Sequence, residues 1–315
     1  MSLELIATHS ASDLLKGTIK MIHASTIRLG AAALLVFNGV LGTAFAASPF
    51  NMAYVEVNDN ELSNVACYKR PTDNKPFFDI ASIFAANING TDPNSPEIFF
   101  NPQVNRLLNQ TTQVKDLQGK GIKVLLTLLG NHQRAGWSGI NQPAAAVAFA
   151  DRIADTVQKY GLDGIDIDDE YSKYDAVYPA STIMIAEALA QNPKFKGKLI
   201  SKALFRDGDV FTASFNNKKL ANFLSFGSEM SYDYADVRAR LGPYVQYGMA
   251  KSALAIGLNA SGTPASGAKL ASEAIKNGYG GVMVYNVNKN SAAYLSEVSK
   301  VEFGRAVNVE PNCLR

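Results

Sequence analysis

Three carboxylates alternate along a short acidic stretch of the chain, residues 161–171, which reads GLDGIDIDDEY. Successive side chains of a β-strand point to opposite faces, so Asp166, Asp168 and Glu170 are predicted to share one face of a strand. Three like charges in a row cost several kcal/mol through repulsion and desolvation unless a functional site uses them. The spacing therefore indicates a proton-transfer site.

An acidic loop and a cation site are two other interpretations of this stretch. Ile165 and Ile167 form an apolar face between the acids, which is typical of a strand. The stretch also does not have the arrangement of glycine and side-chain oxygens expected in a calcium loop. No paired histidines accompany the acids, so we expect neither a metal site nor a cofactor.

Strands that alternate with helices are predicted to position the acids. The acidic stretch is the fourth of eight predicted strands, and the others are 52–57, 79–88, 123–129, 198–204, 223–232, 252–258 and 281–285. Helices are predicted at 103–118, 144–160, 182–189 and 268–277, with a short hairpin arm at 97–100 and no element assigned to 206–219. This alternation predicts an α/β fold, a single-domain (β/α)8 TIM barrel.

The end of the fourth strand is where such a barrel places its chemistry, and Glu170 is the last acid there. A general acid must be protonated at working pH, and a carboxylate at Asp168 is a direct way to raise the pKa of Glu170. The two groups would titrate as a coupled pair.

The acids also form a recognisable signature, since Asp163, Asp166, Asp168 and Glu170 spell DxxDxDxE. This pattern resembles the signature of glycoside hydrolase family 18, which contains chitinases, endo-β-N-acetylglucosaminidases and inactive lectin-like relatives. The surrounding wording, KYGLDGIDIDDEYSKY, is more similar to the endoglycosidase H type than to a chitinase. Members of that family have the (β/α)8 fold, which agrees with the pattern of strands and helices.

The resemblance implies a mechanism in which the substrate's own 2-acetamido oxygen attacks the sugar, giving an oxazolinium intermediate and net retention. By position, Asp168 would orient and polarise the acetamide. Asp166 would lie beneath Asp168 and share a proton or a hydrogen bond with it. Asp163 has the opposite parity along the strand and is predicted to be structural.

Two later segments also resemble the family. Residues 230–233 match its MxYD pattern, in which the tyrosine hydroxyl holds the acetamide, so Tyr232 is a candidate catalytic residue; an aromatic that simply ends a strand is the alternative. In GVMVYNVN, Tyr285 falls where chitinases place a tryptophan under the sugar, and the endoglycosidase type has Tyr-Asn. Tyr285 and Asn286 are therefore predicted to bind substrate by an apolar ring face and a hydrogen bond.

The end of the third strand carries LGNHQ where chitinases have SxGG, again as in the endoglycosidase type. Asn131 and His132 are predicted from this resemblance to contact substrate. A role for His132 in anchoring the loop is the alternative.

Composition limits the chain to one large core. A barrel of roughly 250 residues would nearly fill the 315 residues, of which 47% are hydrophobic. The net charge of +2 is nearly balanced, and the Lys and Arg residues are scattered. No nucleic-acid partner is therefore expected.

The first 46 residues are predicted to be an extension and a signal peptide, followed by the catalytic barrel at 47–315. The run 30–45 is apolar and rich in small residues, follows Arg28, and ends in an A-x-A cleavage form. Met21 is the start that we expect. A membrane anchor is the alternative, but Asn38 and three glycines interrupt the run. Secretion to the extracellular space, or to the periplasm of a Gram-negative source, is expected without a stable anchor.

The two cysteines lie far apart, Cys67 early and Cys313 late. In an exported barrel they could join the neighbouring first and last strands. Two free thiols remain an equal alternative.

The resemblance implies a secreted, monomeric endo-β-N-acetylglucosaminidase that hydrolyses the GlcNAc-β-1,4-GlcNAc core of N-linked glycans on glycoproteins, with high-mannose glycans as the expected class. A chitinase is the alternative enzyme, disfavoured by Tyr285 and by the single tryptophan, Trp137. A non-catalytic lectin-like protein is the alternative from another class. Such relatives lose the acid or its partner, whereas Glu170 and Asp168 are both present here.

Overall fold

The computed structural model of the protein describes residues 50–230, residue 232 and residues 236–315. The predicted extension and signal peptide at 1–46 lie outside the described residues, as do Ser231 and Asp233 of the MxYD pattern. None of the helices within the described ranges is long and apolar enough to cross a membrane.

Eight parallel strands close into a barrel, which confirms the predicted (β/α)8 fold. The first strand closes it by pairing in parallel with both the second and the last strand of the barrel. The barrel strands are β1 (Phe50–Glu56), β3 (Ile80–Asn89), β5 (Lys123–Gly130), β6 (Gly164–Asp168), β7 (Leu199–Leu204), β8 (Phe226–Glu229), β9 (Leu254–Asn259) and β10 (Gly281–Tyr285). The predicted arm is β4 (Glu97–Phe99), antiparallel to β3, and β2 (Tyr68–Lys69) pairs with β11 (Asn308–Val309) outside the barrel.

Helices surround the barrel after most of its strands. They are α1 (Pro102–Gln110), α2 (Gln113–Gly119), α3 (Pro143–Tyr160), α4 (Ser181–Gln191), α5 (Gly208–Thr212), α6 (Val237–Gln246), α7 (Pro264–Lys276) and α8 (Ala292–Phe303). The connection from β1 to β3 uses a 3-10 helix, Leu62–Cys67, instead of an α-helix. Gly161 ends α3 in the left-handed conformation (φ 64°), as expected for a C-cap glycine.

Some of the predicted elements differ from the structure in number or extent, including the strand predicted at 223–232, of which only Phe226–Glu229 forms β8. The single helix predicted at 103–118 is two helices, because Thr111 has extended backbone (φ −129°, ψ 166°) and its hydroxyl donates to the Leu107 carbonyl at 2.7 Å. The hydroxyl thus gives the Leu107 carbonyl the hydrogen bond that the Thr111 amide would have given it if the helix had continued. The stretch 206–219, left without an element, contains the five-residue helix α5.

Two apolar layers divide the core. Side chains that point into the barrel form an inner cluster, whereas Ile165 and Ile167 belong to the larger cluster between strands and helices. Asp166 and Asp168 are 0% and 1% exposed and have the opposite parity, so they point into the barrel. The alternation predicted for the acidic strand is therefore confirmed for Asp166 and Asp168. The inner cluster consists of Phe50, Met52, Tyr54, Ile80, Leu125, Phe226, Ala255 and Met283.

A disulfide joins Cys67 to Cys313 across 246 residues of chain, with 5.6 Å between the Cα atoms. This resolves the question that the sequence left open. The Arg315 amide also donates to Asn64 Oδ1 at 2.8 Å, and the Glu310 amide to the Cys67 carbonyl at 2.9 Å. The C-terminal segment is thus fastened to the turn that follows β1.

Glu302 on α8 is a buried acid that lowers stability at neutral pH. Its Oε2 accepts from Asn51 Nδ2 at 2.8 Å, and its Oε1 is buried without a hydrogen-bond partner among the described residues. Burial, helped by the Asp79 charge, raises the pKa of Glu302 from 4.5 to about 7, although Asn51 and Arg70 oppose the shift. Between these pH values the folded protein holds a proton that the unfolded chain has lost, so stability falls as the pH rises through this window.

Glu302→Gln is therefore expected to raise the free energy of unfolding at pH 8 by about 1–3 kcal/mol and to change it little at pH 4.5. Urea denaturation of both proteins at the two pH values measures this difference. Glu297→Gln, on the exposed side of the same helix and paired with Lys300, is the matched control. An unchanged dependence of stability on pH would contradict the assignment.

Candidate active site

A cavity of about 550 Å³ opens at the C-terminal ends of the barrel strands, the face that carries the active site in barrels of this kind. Four of the residues predicted from sequence line it, namely Asp168, Glu170, Tyr232 and Tyr285. Its other lining residues are Tyr54, Glu56, Phe84, Leu129, Tyr171, Phe205 and Met230. A larger cavity of about 1040 Å³ lies beside the Cys67–Cys313 disulfide and contains none of the predicted site residues.

The acidic strand is shorter than predicted. The strand β6 ends at Asp168, which is the last residue in register with β5, opposite Leu129. Glu170 therefore lies two residues beyond the strand, in a loop where Tyr171 adopts a positive φ of 60°. The loop carries Glu170 to the mouth of the cavity, half-buried, above the two fully buried aspartates.

Asp166 is held by hydroxyl groups from three other strands. Its Oδ2 accepts from Tyr54 at 2.7 Å and from Thr127 at 3.1 Å, and its Oδ1 accepts from Ser201 at 2.6 Å. Burial raises the pKa of Asp166 to about 6 even though these three hydrogen bonds and the Lys202 charge act to lower it. The side chain is thus immobilised and has an affinity for protons near neutral pH.

Asp168 lies one step higher on the same face, and its Oδ1 is buried without a hydrogen-bond partner among the described residues. Burial raises the pKa of Asp168 well above its ordinary value, and the charges of Asp166 and Glu170 raise it further. An unsatisfied buried carboxyl oxygen is costly. The Asp168 side chain lines the cavity, so its carboxyl group is placed to accept a hydrogen bond from a bound molecule.

The pKa of Glu170 is also raised, chiefly by burial, with contributions from the charges of Asp207 and Asp169, while Lys202 opposes the shift. The direction agrees with a proton donor. The expected cause was the neighbouring Asp168, and the structure corrects this. Asp168 is the more deeply buried of the two, and the charge of Glu170 raises the pKa of Asp168 rather than the reverse.

Aromatic rings form the opposite wall. The Tyr285 ring centroid lies 5.8 Å from that of Tyr232 and 5.6 Å from that of Phe84, and its hydroxyl donates to Glu56 Oε2 at 3.4 Å. Burial, and then the Glu56 charge, raise the pKa of Tyr285 to about 12, and burial likewise raises the pKa of Tyr232. Both hydroxyls therefore stay protonated and can donate hydrogen bonds at neutral pH.

Asn286 follows a cis peptide bond and turns toward Glu56 rather than into the cavity. Its Oδ1 accepts from the Glu56 amide at 3.0 Å and from Asn60 Nδ2 at 3.3 Å, and its Nδ2 donates to Glu56 Oε2 at 3.3 Å. The structure therefore brings Asn286 to the edge of the site, where it orients Glu56.

Asn131 and His132 also lie beside the cavity without lining it. Asn131 Nδ2 donates to Asn89 Oδ1 at 2.7 Å, which joins the ends of β5 and β3. The exposed His132 ring lies 5.5 Å from the Tyr171 ring, and its backbone amide donates to the Tyr171 carbonyl at 2.8 Å. His132 thus supports the loop that carries Glu170, whereas Asn131 links the ends of two strands.

The loops after β5 and β6, residues 131–142 and 169–180, are fastened together along their length. The Lys173 amide donates to the Gln133 carbonyl at 2.7 Å, and the Tyr178 amide to the Ser138 carbonyl at 2.8 Å. Asp169 accepts hydrogen bonds from Ser138 and from the Tyr174 hydroxyl. Glycines on the first side permit this approach, because a Cβ at Gly130 or Gly136 would overlap the loop that holds Ser172.

Gly130→Ala is expected to displace Glu170 and to lower kcat/KM by about 10- to 100-fold. The added Cβ would overlap the Glu170 carbonyl oxygen and lie 2.7 Å from the Ser172 amide nitrogen, and backbone cannot rotate away as a side chain could. Steady-state kinetics on a glycoside substrate measures the loss. Gly119→Ala, where a Cβ meets nothing within 4 Å, is the matched control. Equal activity of both variants would show that the loop adjusts freely.

Several residues of the site were not predicted from sequence. Tyr54, in the predicted strand MAYVEV, and Ser201 have the parity of inward-facing positions, which is the signal that could have found them. Lys202 is only 2% exposed yet charged, and its Nζ donates to Asp207 Oδ1 at 2.8 Å. Within the described ranges, no cluster of three or more His, Cys, Asp or Glu side chains is arranged to hold a metal ion.

Comparison with known proteins gives a consistent result. The family model described as glycosyl hydrolases family 18 matches residues 46–303. An endo-beta-N-acetylglucosaminidase of Flavobacterium sp. (strain SK1022) is 36% identical over 267 residues, which cover 82% of this chain and 82% of that protein. Endo-beta-N-acetylglucosaminidase F1 of Elizabethkingia meningoseptica is 30% identical over 252 residues, covering 78% of this chain and 73% of that protein.

Among solved structures, EndoBT-3987 of Bacteroides thetaiotamicron, crystallised with Man5GlcNAc product, superposes with a TM-score of 0.70 at 24% identity. The match covers 85% of this chain and 64% of that one, so this chain spans less than two thirds of its length. At this identity the likeness concerns the fold.

Proposed function

Because the chain belongs to the glycosyl hydrolases of family 18 and is a glycoside hydrolase, we propose that it is an endo-β-N-acetylglucosaminidase that cleaves between the two core GlcNAc residues of N-linked glycans. The observation that carries the proposal is the unpartnered, buried Oδ1 of Asp168 beside Glu170, in a cavity walled by tyrosines. A carboxyl oxygen in this position suits the N–H of a 2-acetamido group. The curated relatives that bear this activity in their names support the same substrate class.

In the proposed first step Glu170 gives its proton to the glycosidic oxygen while the bond from that oxygen to C1 breaks. The carbonyl oxygen of the substrate's acetamide bonds to C1 and forms an oxazolinium ion. In the second step the Glu170 carboxylate takes a proton from water, and the water oxygen bonds to C1 and opens the ring with net retention.

Positive charge develops on the acetamide nitrogen in the first step, and Asp168 is placed to stabilise it through a hydrogen bond from the N–H. Burial raises the pKa of both Asp166 and Asp168, which favours a proton shared by the buried pair in the free enzyme. With Asp166 able to keep that proton, Asp168 can meet the N–H as a carboxylate. The Tyr232 hydroxyl is the proposed donor to the acetamide carbonyl.

A chitinase is less well supported by the site. The single tryptophan, Trp137, is 1% exposed, donates through Nε1 to the Leu128 carbonyl at 2.8 Å, and packs on Phe149 in the core. It therefore does not supply the exposed platform that a groove for a polymer of GlcNAc would use. The cavity instead presents Tyr285 as its main aromatic floor.

High-mannose glycans are the class that we propose as preferred, on the resemblance of the acidic segment to the endoglycosidase H type. We also propose that the protein is secreted as a monomer without a stable anchor, on the signal-like segment ahead of the barrel. Expression of the full chain with and without residues 1–46, followed by recovery of activity from the medium or periplasm, tests the export.

Release of free glycan tests the function. Purified protein is incubated with a high-mannose glycoprotein, with a complex-type glycoprotein and with chitin oligosaccharides, and products are identified by mass spectrometry. The proposal expects a protein that keeps one GlcNAc and a free glycan that ends in the other. Cleavage of chitin oligosaccharides alone would favour the chitinase, and binding without cleavage of any substrate would favour a lectin.

A further inference from the structure

Phe205, at the end of β7, is an exposed aromatic side chain on the rim of the active-site cavity. It is 47% exposed and lines the cavity together with Glu170. The guanidinium carbons of Arg206 and Arg240 lie 5.5 Å and 5.2 Å from its ring centroid. An aromatic ring that lines a cavity beside a candidate acid is available for contact with a ligand bound there.

A buried ion pair holds the turn that presents this ring. Lys202, 2% exposed, donates from Nζ to Asp207 Oδ1 at 2.8 Å and to the Ala203 carbonyl at 2.8 Å. The other carboxylate oxygen, Oδ2, accepts from the Phe205 amide at 2.6 Å and from the Tyr244 hydroxyl at 3.2 Å. The backbone of Phe205 is thus tied to a charge pair whose side chains are only 2% and 12% exposed, which fixes the backbone from which the ring projects.

The position of Phe205 identifies the part of the substrate that it meets. One side of the cavity, from β1, β3 and β10, carries Tyr54, Phe84 and Tyr285, whose rings contact one another beside Asp168. A sugar that packs on these rings can bring its acetamide to Asp168. Glu170 must stand next to the glycosidic oxygen, so the sugar beyond this oxygen extends toward β7, the strand that follows β6 around the barrel and carries Phe205.

We propose that Phe205 is the stacking platform for the leaving GlcNAc, and that the Lys202–Asp207 pair positions it. This inference rests on the proposed function, because it assigns the second sugar of the same cleaved bond. The flat apolar face of a pyranose matches an exposed phenyl ring, and the neighbouring guanidinium of Arg206 is available to hydroxyl groups at the ring edge.

The reverse reaction isolates this subsite. A glycan oxazoline supplies the intermediate without any leaving sugar, and added GlcNAc then enters the leaving side as an acceptor. The oxazoline nitrogen first takes up a proton from water, which gives the oxazolinium ion. The 4-hydroxyl oxygen of GlcNAc then bonds to C1 as the C1–O bond of this ion breaks, and the hydroxyl proton passes to the Glu170 carboxylate, which returns a proton to water. The KM for acceptor GlcNAc therefore measures binding in the subsite for the leaving sugar. The rate at which water hydrolyses the oxazoline measures the function of the subsite that holds the oxazoline.

Phe205→Ala is expected to raise the KM for acceptor GlcNAc by about fivefold or more, with a much smaller change in oxazoline hydrolysis. Phe205→Tyr, which keeps a flat ring, is expected to restore the acceptor KM. Phe99→Ala is the matched control, since Phe99 is 45% exposed on β4 and does not line the cavity. An acceptor KM equal to that of the unmodified protein would overturn the proposal.

Direct binding separates this inference from the proposed function. GlcNAc-asparagine is titrated into Glu170→Gln protein, with and without Phe205→Ala, and followed by NMR line broadening of the sugar. Binding that disappears with Phe205→Ala supports the subsite even if no glycan is cleaved. Binding that persists, or binding absent from both proteins, overturns the subsite, whereas failure to release glycan with intact binding overturns only the proposed function.

Asp207→Asn tests the positioning role. The groups that face Glu170 are Lys202, which lowers its pKa, and Asp207 and Asp169, which raise it, with Asp168 beneath. Loss of the Asp207 charge is expected to raise the acceptor KM as Phe205→Ala does and to move the alkaline limb of kcat/KM to lower pH. A loss of thermal stability alone, with both readouts unchanged, would show that the ion pair only supports the fold.

Discussion

Glu170→Gln is expected to lower kcat for glycan release by about 10²- to 10⁴-fold while leaving the fold and glycan binding in place. The amide has nearly the shape of the acid but cannot give a proton to the glycosidic oxygen. Burial and the nearby Asp207 and Asp169 raise the pKa of Glu170, which favours the protonated form that a proton donor needs. Single-turnover release from a glycopeptide measures the rate, and calorimetric titration of the same glycopeptide measures binding.

The control for this substitution is Glu97→Gln, an exposed acid on β4 that does not line the cavity. It is expected to match the unmodified protein in both measurements. If Glu170→Gln released glycan at a rate close to that of the control, another group would have to be the general acid.

Asp168→Asn is expected to lower glycan release by about 10²- to 10³-fold and to affect hydrolysis of a supplied oxazoline less. The carboxyl oxygen without a partner, Oδ1, is the proposed acceptor for the acetamide N–H. An asparagine in the same place can present an N–H instead, which repels the group that it should hold. The oxazoline already has its ring, so the formation step that needs Asp168 has been bypassed.

The matched control comes from the same sequence motif. Asp163 accepts hydrogen bonds from the Val124 amide at 2.9 Å and from Gln118 Nε2 at 2.8 Å, and it pairs with Lys123 at 2.9 Å. These contacts outweigh the effect of burial and hold the pKa of Asp163 below its ordinary value. Asp163→Asn is therefore expected to lower stability and to keep catalysis, whereas equal losses of Asp168→Asn on both substrates would argue against acetamide orientation.

The barrel and the acidic face could be predicted because both follow from local patterns. Alternation along β6 is enough to separate the faces that hold Asp166 and Ile167, and the order of strands and helices is enough for a (β/α)8 barrel. The end of β6 could not be predicted, since the acid at 170 continues the alternation that the backbone abandons after Asp168. The number of paired residues depends on the neighbouring strand.

The surroundings of the acids were outside the reach of local patterns. Tyr54, Thr127 and Ser201 donate to one carboxylate from β1, β5 and β7, and only the register of the closed barrel brings them to the same height. Register between strands far apart in sequence is not written in any one segment. The Lys202–Asp207 pair, whose two charges act on the pKa of Glu170, also appeared only in the structure.

The fastened loops after β5 and β6 have a consequence for redesign of glycan selectivity. Residues 131–142 and 169–180 share backbone hydrogen bonds and an approach that Gly130 and Gly136 make possible, so either segment transplanted alone would meet a partner of the wrong shape. The two loops should therefore be transplanted together, as one unit. Across natural relatives, the residues at positions 136 and 172 should accordingly co-vary. A larger side chain at one of these positions should occur only with a smaller one at the other.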